Sequence, residues 1–277
     1  MSTTVATYPM VIALKAADRI LGPDREWEAV NGTQVRFLKE YFEPCRKEHV
    51  PEIESMASWD AAEINAFLTQ HRFPMEVGPF PADSFGAASA LDLLVEWIQR
   101  GSVTTIKGFL SGRQYPGVYL TCGVMFLRAA GHHDAIASLA TKSGDQVLMT
   151  VLERPPEGFD LVAMAEDLTA RGRVIDGFEG LKFPMVHLDD PVDINWLAGL
   201  RTVALSGQPA WIARALQQTR LRMNQTGVCA ESAVAFTVVA AVLLPPKPKP
   251  ALVIDRPFFG LVQTPGSGAT AVCRIHQ

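Results

Sequence analysis

Six histidines occur in this 277-residue chain, and two of them stand beside a carboxylate in Gly131-His132-His133-Asp134. A carboxylate next to an imidazole can fix its tautomer and raise its basicity, which suits general acid–base work near neutral pH. His132, His133 and Asp134 therefore form one candidate catalytic set. Against this, adjacent histidines on a strand point to opposite faces, and in a loop they are commonly just solvated. Glu231 is the fourth candidate, a lone acid in a small, apolar stretch. It either faces solvent or enters a pocket that would raise its pKa. No second ligand cluster lies near His132 to Asp134 in sequence, so zinc is not expected. Gly-x-Ser-x-Gly, phosphate-loop and dinucleotide fingerprints are all missing, and the expected complement is no cofactor and no metal. Cys229 sits beside a turn with no base next to it; such a thiol is ordinarily a small buried hydrophobe.

The bulk composition narrows the partners. Net charge is -4 with 48% hydrophobic residues, ordinary for a soluble globular chain. The basic residues are scattered singly or beside acids, as in Lys39-Glu40 and Arg46-Lys47-Glu48, so no stripe for nucleic acid exists. The amino-terminal residues do not read as a leader. Cys45, Cys122, Cys229 and Cys273 are far apart and are expected to be reduced, in a cytoplasmic setting.

Periodicity places the elements. Val11, Leu14, Ala17, Ile20 and Leu21, then Val35, Leu38, Tyr41 and Phe42, predict two helices broken at Gly22-Pro23-Asp24. A short helix is expected over Ala61 to Thr69, capped by Ser58 or Asp60. Met75 to Phe80 alternates like a strand, and Ser84 to Gly101 reads as a long amphipathic helix. After a loop from Gly108 to Gly117, Val118 to Leu127 reads as one central strand, apolar on both faces. Further strands are expected at Gln146 to Leu152, Leu161 to Ala165 and Leu181 to Leu188, with a helix from Asp193 to Leu200. Trp211 to Met223 is ambiguous. Gly266-Ser267-Gly268 is a hairpin turn. Trp97 and Trp196 are expected in the core. The fold class is α+β: a large mixed or antiparallel β-sheet with helices on its faces.

Ala233 to Leu244 is the most apolar stretch, carrying no charge and one hydroxyl. At about 12 residues it falls short of the roughly 20 needed to span a bilayer as a helix, so no membrane partner is expected. Exposing Val234, Phe236, Val238, Val239, Val242, Leu243 and Leu244 would cost roughly 1.5–3 kcal/mol each. The run is therefore expected to be a permanent strand of the main sheet or to be covered in a dimer contact. Pro245 to Pro250 after it favours an extended polyproline conformation.

Four pieces together resemble the serpin family. Met223-Asn224-Gln225-Thr226-Gly227, followed by Ala230, Ser232 and Ala233, is similar to the hinge that opens a serpin reactive loop. Asp255-Arg256-Pro257-Phe258-Phe259, with Gly268 to Val272, resembles the carboxy-terminal signature and last strands. Val95 to Ile98 with Ile106 to Leu110 resembles the sheet-crossing helix and its exit, and Tyr119 to Phe126 the central strand. The resemblance implies a single serpin-like domain over 1–277. Residues 1–74 would be a divergent, shortened helical part and 75–277 the serpin-like core, with a carboxy-terminal barrel-like second sheet.

The residues that run the serpin spring depart from the pattern. Gln225 stands for the hinge glutamate, and Cys229 and Glu231 interrupt the small residues after it. The sheet-opening asparagine falls at Cys122, its histidine partner at Gln217, and the tryptophan atop the sheet near Ala130. Cysteine is a poor hydrogen-bond former beside an amide with two donors and an acceptor. Insertion on demand is thus not expected. The resulting expectation is a non-inhibitory serpin-like protein acting as a cofactor-free cyclase on a small-molecule substrate in bacterial secondary metabolism, a role for which a shaped apolar pocket and one or two acid–base groups suffice. Two alternatives are a protease inhibitor with a reactive loop at about 228–246, and a non-catalytic binding or scaffold protein. Expected partners are the substrate and a second copy of the chain, with a protease only under the inhibitor alternative.

Overall fold

In the computed structural model, the residues described are 3–5, 7–46, 53–74, 76–92, 95–109, 111–152, 156, 158–228, 249–263 and 269–275. Two compact units interleave along the chain. Unit 1 comprises Met1–Val5, Leu93–Leu188 and Leu221–Gln277; unit 2 comprises Ala6–Asp92 and Asp189–Arg220. In chain order the elements begin with β1 (Thr3–Val5), α1 (Thr7–Ala16), α2 (Asp18–Leu21), α3 (Gly32–Phe37), α4 (Glu43–Cys45), β2 (Ile53–Ser58), α5 (Ala61–Gln70) and β3 (Ser84–Asp92). They continue with β4 (Val95–Glu96), β5 (Ser102–Lys107), β6 (Gln114–Leu120), β7 (Val124–Arg128), β8 (Ile136–Ala140), β9 (Gln146–Val151), α6 (Phe159–Arg171), β10 (Arg173–Val174) and β11 (Gly180–Pro184). The last are β12 (Val186–Asp193), β13 (Arg201–Val203), β14 (Pro209–Met223), β15 (Gly227–Val228), β16 (Ala251–Val253), β17 (Phe258–Gln263) and β18 (Ala269–Ile275).

Unit 2 is a sheet with helices on it. β3 pairs antiparallel with β2 and parallel with β14, and β14 pairs antiparallel with β13. Asp60 caps α5 by accepting the Ala62 amide at 2.8 Å. That cap points Ile64, Phe67 and Leu68 at Ala88, with Met56, Ala90 and Leu216 packed around them. The alternation of a strand then puts Ala87, Ser89, Ala215 and Gln217 on the opposite face, where all four are buried as well. α1 also packs against β2 and β3. The helices foreseen before and after Gly22 are α1, α2 and α3, and Gly22 takes φ 92°, a conformation that costs glycine little.

Unit 1 is mostly antiparallel. One sheet has the order β1-β18-β17-β9-β8-β7-β10, and a four-stranded sheet has the order β16-β11-β6-β5. β8 and β9 are buried almost throughout, which matches their apolar runs. α6 packs on β18 and β1.

Several expectations are corrected. Ser84 to Asp92 is the strand β3 rather than a helix, because its small residues fit between β2 and β14, and tertiary pairing overrides helix propensity. Leu161 to Ala165 lies inside the helix α6, whose buried Phe159, Leu161, Val162, Ala165 and Leu168 recur at helical spacing. Residues 76–80 form no strand; the Asn65 side chain bonds both the N–H and the C=O of Val77, at 2.8 and 2.9 Å. The single strand foreseen from Val118 to Leu127 is two strands in different sheets, β6 and β7, turned at Gly123 with φ 71°. Gln114 to Gly117 belongs to β6, not to a loop. The helix foreseen from Asp193 reduces to a 3-10 turn, Asn195–Leu197. Trp211 to Met223 resolves as strand. The run Ala233 to Leu244 and the turn at Gly266 to Gly268 lie outside the described residues.

Candidate functional site

His132 is half-buried between β7 and β8, and its Nε2 lies 2.9 Å from Thr150 Oγ1. The Thr150 hydroxyl donates to the Ala135 carbonyl at 3.0 Å. A hydroxyl has one proton and a carbonyl only accepts, so Thr150 must receive the bond from His132 Nε2–H. That leaves Nδ1 with the lone pair. Burial pushes the His132 pKa down and the neighbouring His133 adds to this, while Asp134 opposes both. The ring is therefore a neutral imidazole that ties its loop to β9. Asp134 meets Arg256 at 3.4 Å; Arg256 also reaches Asp255 at 3.4 Å and lies over the Phe109 ring, 5.4 Å from its centroid. His133 is exposed. The fold thus joins His132 to Thr150 and Asp134 to Arg256. Glu231 and Cys229 lie outside the described residues. Among the described residues no group of three His, Cys, Asp or Glu side chains could hold a metal ion.

Unit 1 also contains a tightly built turn after β14. Asn224 Oδ1 accepts three hydrogen bonds, from Thr226 N at 2.8 Å, Thr226 Oγ1 at 2.6 Å and Gly227 N at 3.2 Å. The chain then runs back antiparallel, with Met223 opposite Val228, and β15 is held between the end of β14 and β4. Trp97, foreseen as a core residue, is buried and clamps this turn. Its indole N–H donates to the Asn224 carbonyl at 2.9 Å and its amide to the Thr226 carbonyl at 3.0 Å. The Trp97 ring meets Phe183 edge-on at 5.9 Å. Val95 and Glu96, foreseen in a sheet-crossing helix, form β4 instead.

In unit 2, β3 and β14 are hydrogen-bonded directly from Ser84 and Trp211 to Asp92 and Arg220. Ser89 stands opposite Gln217, and both are buried. The Ser89 hydroxyl has no hydrogen-bond partner among the described residues. Cys122, assigned from sequence to the strand beside Gln217, instead lies exposed in the turn between β6 and β7. A short motif without its register cannot say which strand neighbours which.

A cleft in unit 2 of about 1140 Å³ is lined by residues 24–28, Gly199, Arg201 to Val203 and Pro209 to Trp211. Residues 26–28 pair with β13: Glu28 N donates to Arg201 O at 2.8 Å and Arg201 N to Glu28 O at 3.0 Å. Thr202 Oγ1 donates to Glu26 O at 2.6 Å. β13 in turn pairs with β14 through Arg201 and Trp211, Thr202 and Ala210, Val203 and Pro209. Alternation then sends Thr202 and Ala210 inward, with Trp27 tilted against Phe85 at 6.4 Å. Glu28, Arg201 and Trp211 form one row on the outer face, and Glu26, Val203 and Pro209 the next. These residues were not singled out from sequence. The only signal was the alternation in Arg201-Thr202-Val203 and Pro209-Ala210-Trp211, too short to read alone.

No family model matches the chain, and no curated protein does. Solved structures do match. A serpin from Schistosoma mansoni aligns with TM-score 0.65 at 9% identity, over 99% of this chain and 95% of that one. Human thyroxine-binding globulin complexed with thyroxine aligns with TM-score 0.61 at 11% identity, over 99% and 91%. A highly specific serpin of the insect Tenebrio molitor aligns with TM-score 0.57 at 14% identity, over 99% and 91%. The chain has a serpin-like fold. Within this chain β3 is the strand beside β14, so Gln217 stands opposite Ser89 and not opposite Cys122. Among the described residues, no helix of this serpin-like chain is long and apolar enough to cross a membrane.

Proposed function

We propose that this serpin-like protein is non-inhibitory and binds a small organic molecule in the cleft of unit 2. The observation that carries the reading is the row Glu28, Arg201 and Trp211 on the floor of a cleft of about 1140 Å³, an aromatic face with charged groups of both signs. Thyroxine-binding globulin, similar in fold, was solved with thyroxine bound, so a fold of this kind accommodates a small-molecule role. Gln217, which stands where the serpin pattern has a histidine, faces the Ser89 hydroxyl across β14 and β3, and the absence of that histidine argues against insertion on demand. A narrower form of the reading makes the molecule the substrate of a cofactor-free ring closure in secondary metabolism. Glu26 and Glu28 would then be the acid–base groups within the cleft. His132 to Asp134 belong to unit 1 and do not line it. A cytoplasmic setting and pairing of two copies belong to the same reading.

The experiment is a two-armed one. A diverse set of small aromatic molecules should change the tryptophan fluorescence of the full chain, and Trp211→Phe should remove most of that change. Incubation with serine proteases should give no detergent-stable covalent complex. Such a complex would replace this reading with the second one, protease inhibition. That second reading draws on the Met223 to Val228 hairpin, which already turns the chain back along β14 in the direction an inserted strand takes.

A further inference from the structure

The geometry points to an aromatic α-amino acid as the ligand class of the unit 2 cleft, an inference that rests on the small-molecule reading above. The ordering of chemistry across three neighbouring strands carries it. Glu28 lies opposite Arg201, and Arg201 lies opposite Trp211, so the three side chains leave the same face in the sequence carboxylate, guanidinium, indole. Opposed residues stand about 4.5–5.5 Å apart from strand to strand, so the row is about 10 Å long. An aromatic α-amino acid carries the complementary groups: an ammonium and a carboxylate on one carbon with a ring one methylene away, so that with the carboxylate on Arg201 the ammonium can extend towards Glu28 and the ring towards Trp211.

The charged groups of the row are available. Neither Glu28 nor Arg201 makes an ion pair or a side-chain hydrogen bond among the described residues, and both are exposed. Two other charged side chains of the lining have partners: Arg25 donates through Nε and one terminal nitrogen to the Pro23 carbonyl, and Asp24 lies 3.7 Å from Arg46. Arg201 can take a carboxylate with two parallel hydrogen bonds, and the Trp211 face can stack on a ring. Val203 and Pro209 in the adjoining row supply apolar floor, and Glu26 beside them adds a second negative charge. A simple aromatic anion would meet Glu26 and Glu28, and a simple aromatic amine would meet Arg201. A zwitterion satisfies both signs at once, which is how the cleft would select it.

The test is isothermal titration of the full chain with four probes: L-phenylalanine, 3-phenylpropanoate, phenethylamine and glycine. Each of the last three lacks one of the groups being read. L-phenylalanine should bind at least about tenfold tighter than any of them, the scale of one charge-assisted contact. Arg201→Gln and Glu28→Gln, both exposed and expected to fold, should each weaken it by about the same factor. Arg201→Gln should also narrow the gap to phenethylamine. Equal binding of any analogue, or unchanged affinity in Arg201→Gln, overturns the inference. If none of the four binds while other aromatic molecules shift the Trp211 indole resonance, the amino-acid assignment falls and the small-molecule reading stands. If nothing shifts that resonance, both fall.

Discussion

Ser89 on β3 stands directly opposite Gln217 on β14, in a parallel pair with no strand between them, and the two are 0% and 1% exposed. An amide and a hydroxyl thus sit side by side in the sheet, with Ser55 of β2 opposite Ser89 on its other side. The Ser89 hydroxyl is dehydrated without a partner among the described residues, a state that costs about 1–3 kcal/mol. Ser89→Ala removes the hydroxyl and almost no volume. The variant should be more stable by about 1 kcal/mol, which for a chain of this size raises Tm by roughly 2–4 °C. Chemical denaturation of the two proteins checks it. A loss of stability would show that the hydroxyl is bonded, through a water molecule or through Gln217.

The turn after β14 offers the opposite case, a polar cluster that is fully used. Asn224→Ala leaves the amides of Thr226 and Gly227 without their acceptor and should cost about 1–3 kcal/mol. Trp97→Phe removes one donor to the Asn224 carbonyl and keeps the ring against Phe183, so its cost should be smaller, about 1 kcal/mol. Limited proteolysis should cut Asn224→Ala between Met223 and Val228 faster than the parent chain. Equal cutting rates would mean that pairing with β4 alone holds the turn.

The elements that could be read from sequence are those with a local cause. Asp60 announces α5, and Ile64, Phe67 and Leu68 give its face; β9 is visible as Val147 to Val151 because that strand is buried on both sides. β3 was hidden because Ser84 to Asp92 is rich in alanine and its reason for being a strand is β14, far along the chain. α6 was misread because five apolar positions in a window can suit either period, and only the full Phe159 to Arg171 span separates them. The cleft was invisible for the same reason at larger scale. Glu28, Arg201 and Trp211 come from three segments, and only the register of two strand pairings puts them in a row.

The pH dependence of stability should carry a His132 contribution. Burial lowers its folded pKa below the ordinary imidazole value of about 6.5, so over the window beneath that value the unfolded chain binds more protons than the folded one. The groups facing the ring are His133, which pushes the same way, and Asp134, which opposes. Stability should therefore be level in this contribution above about pH 6.5 and decline as pH falls from there towards the folded pKa. His132→Gln, which cannot titrate, should flatten that part of the curve. Parallel curves for variant and parent between pH 7 and pH 5 would remove the effect.

Thr150→Val separates a structural His132 from a catalytic one. The substitution keeps the shape of a side chain that is 0% exposed, but it strips an acceptor from His132 Nε2–H and a donor from the Ala135 carbonyl. Two buried polar groups are left unmatched, at a cost of about 2 kcal/mol or more. If the histidine is there to hold its loop on β9, His132→Ala and Thr150→Val act on one interaction, and the double variant should lose less than the sum of the singles. The expected coupling is about 1 kcal/mol, measurable by denaturant titration of the four proteins. Strict additivity would mean that the two side chains are energetically independent, and the neutral, Nε2-protonated imidazole would then need a purpose other than anchoring.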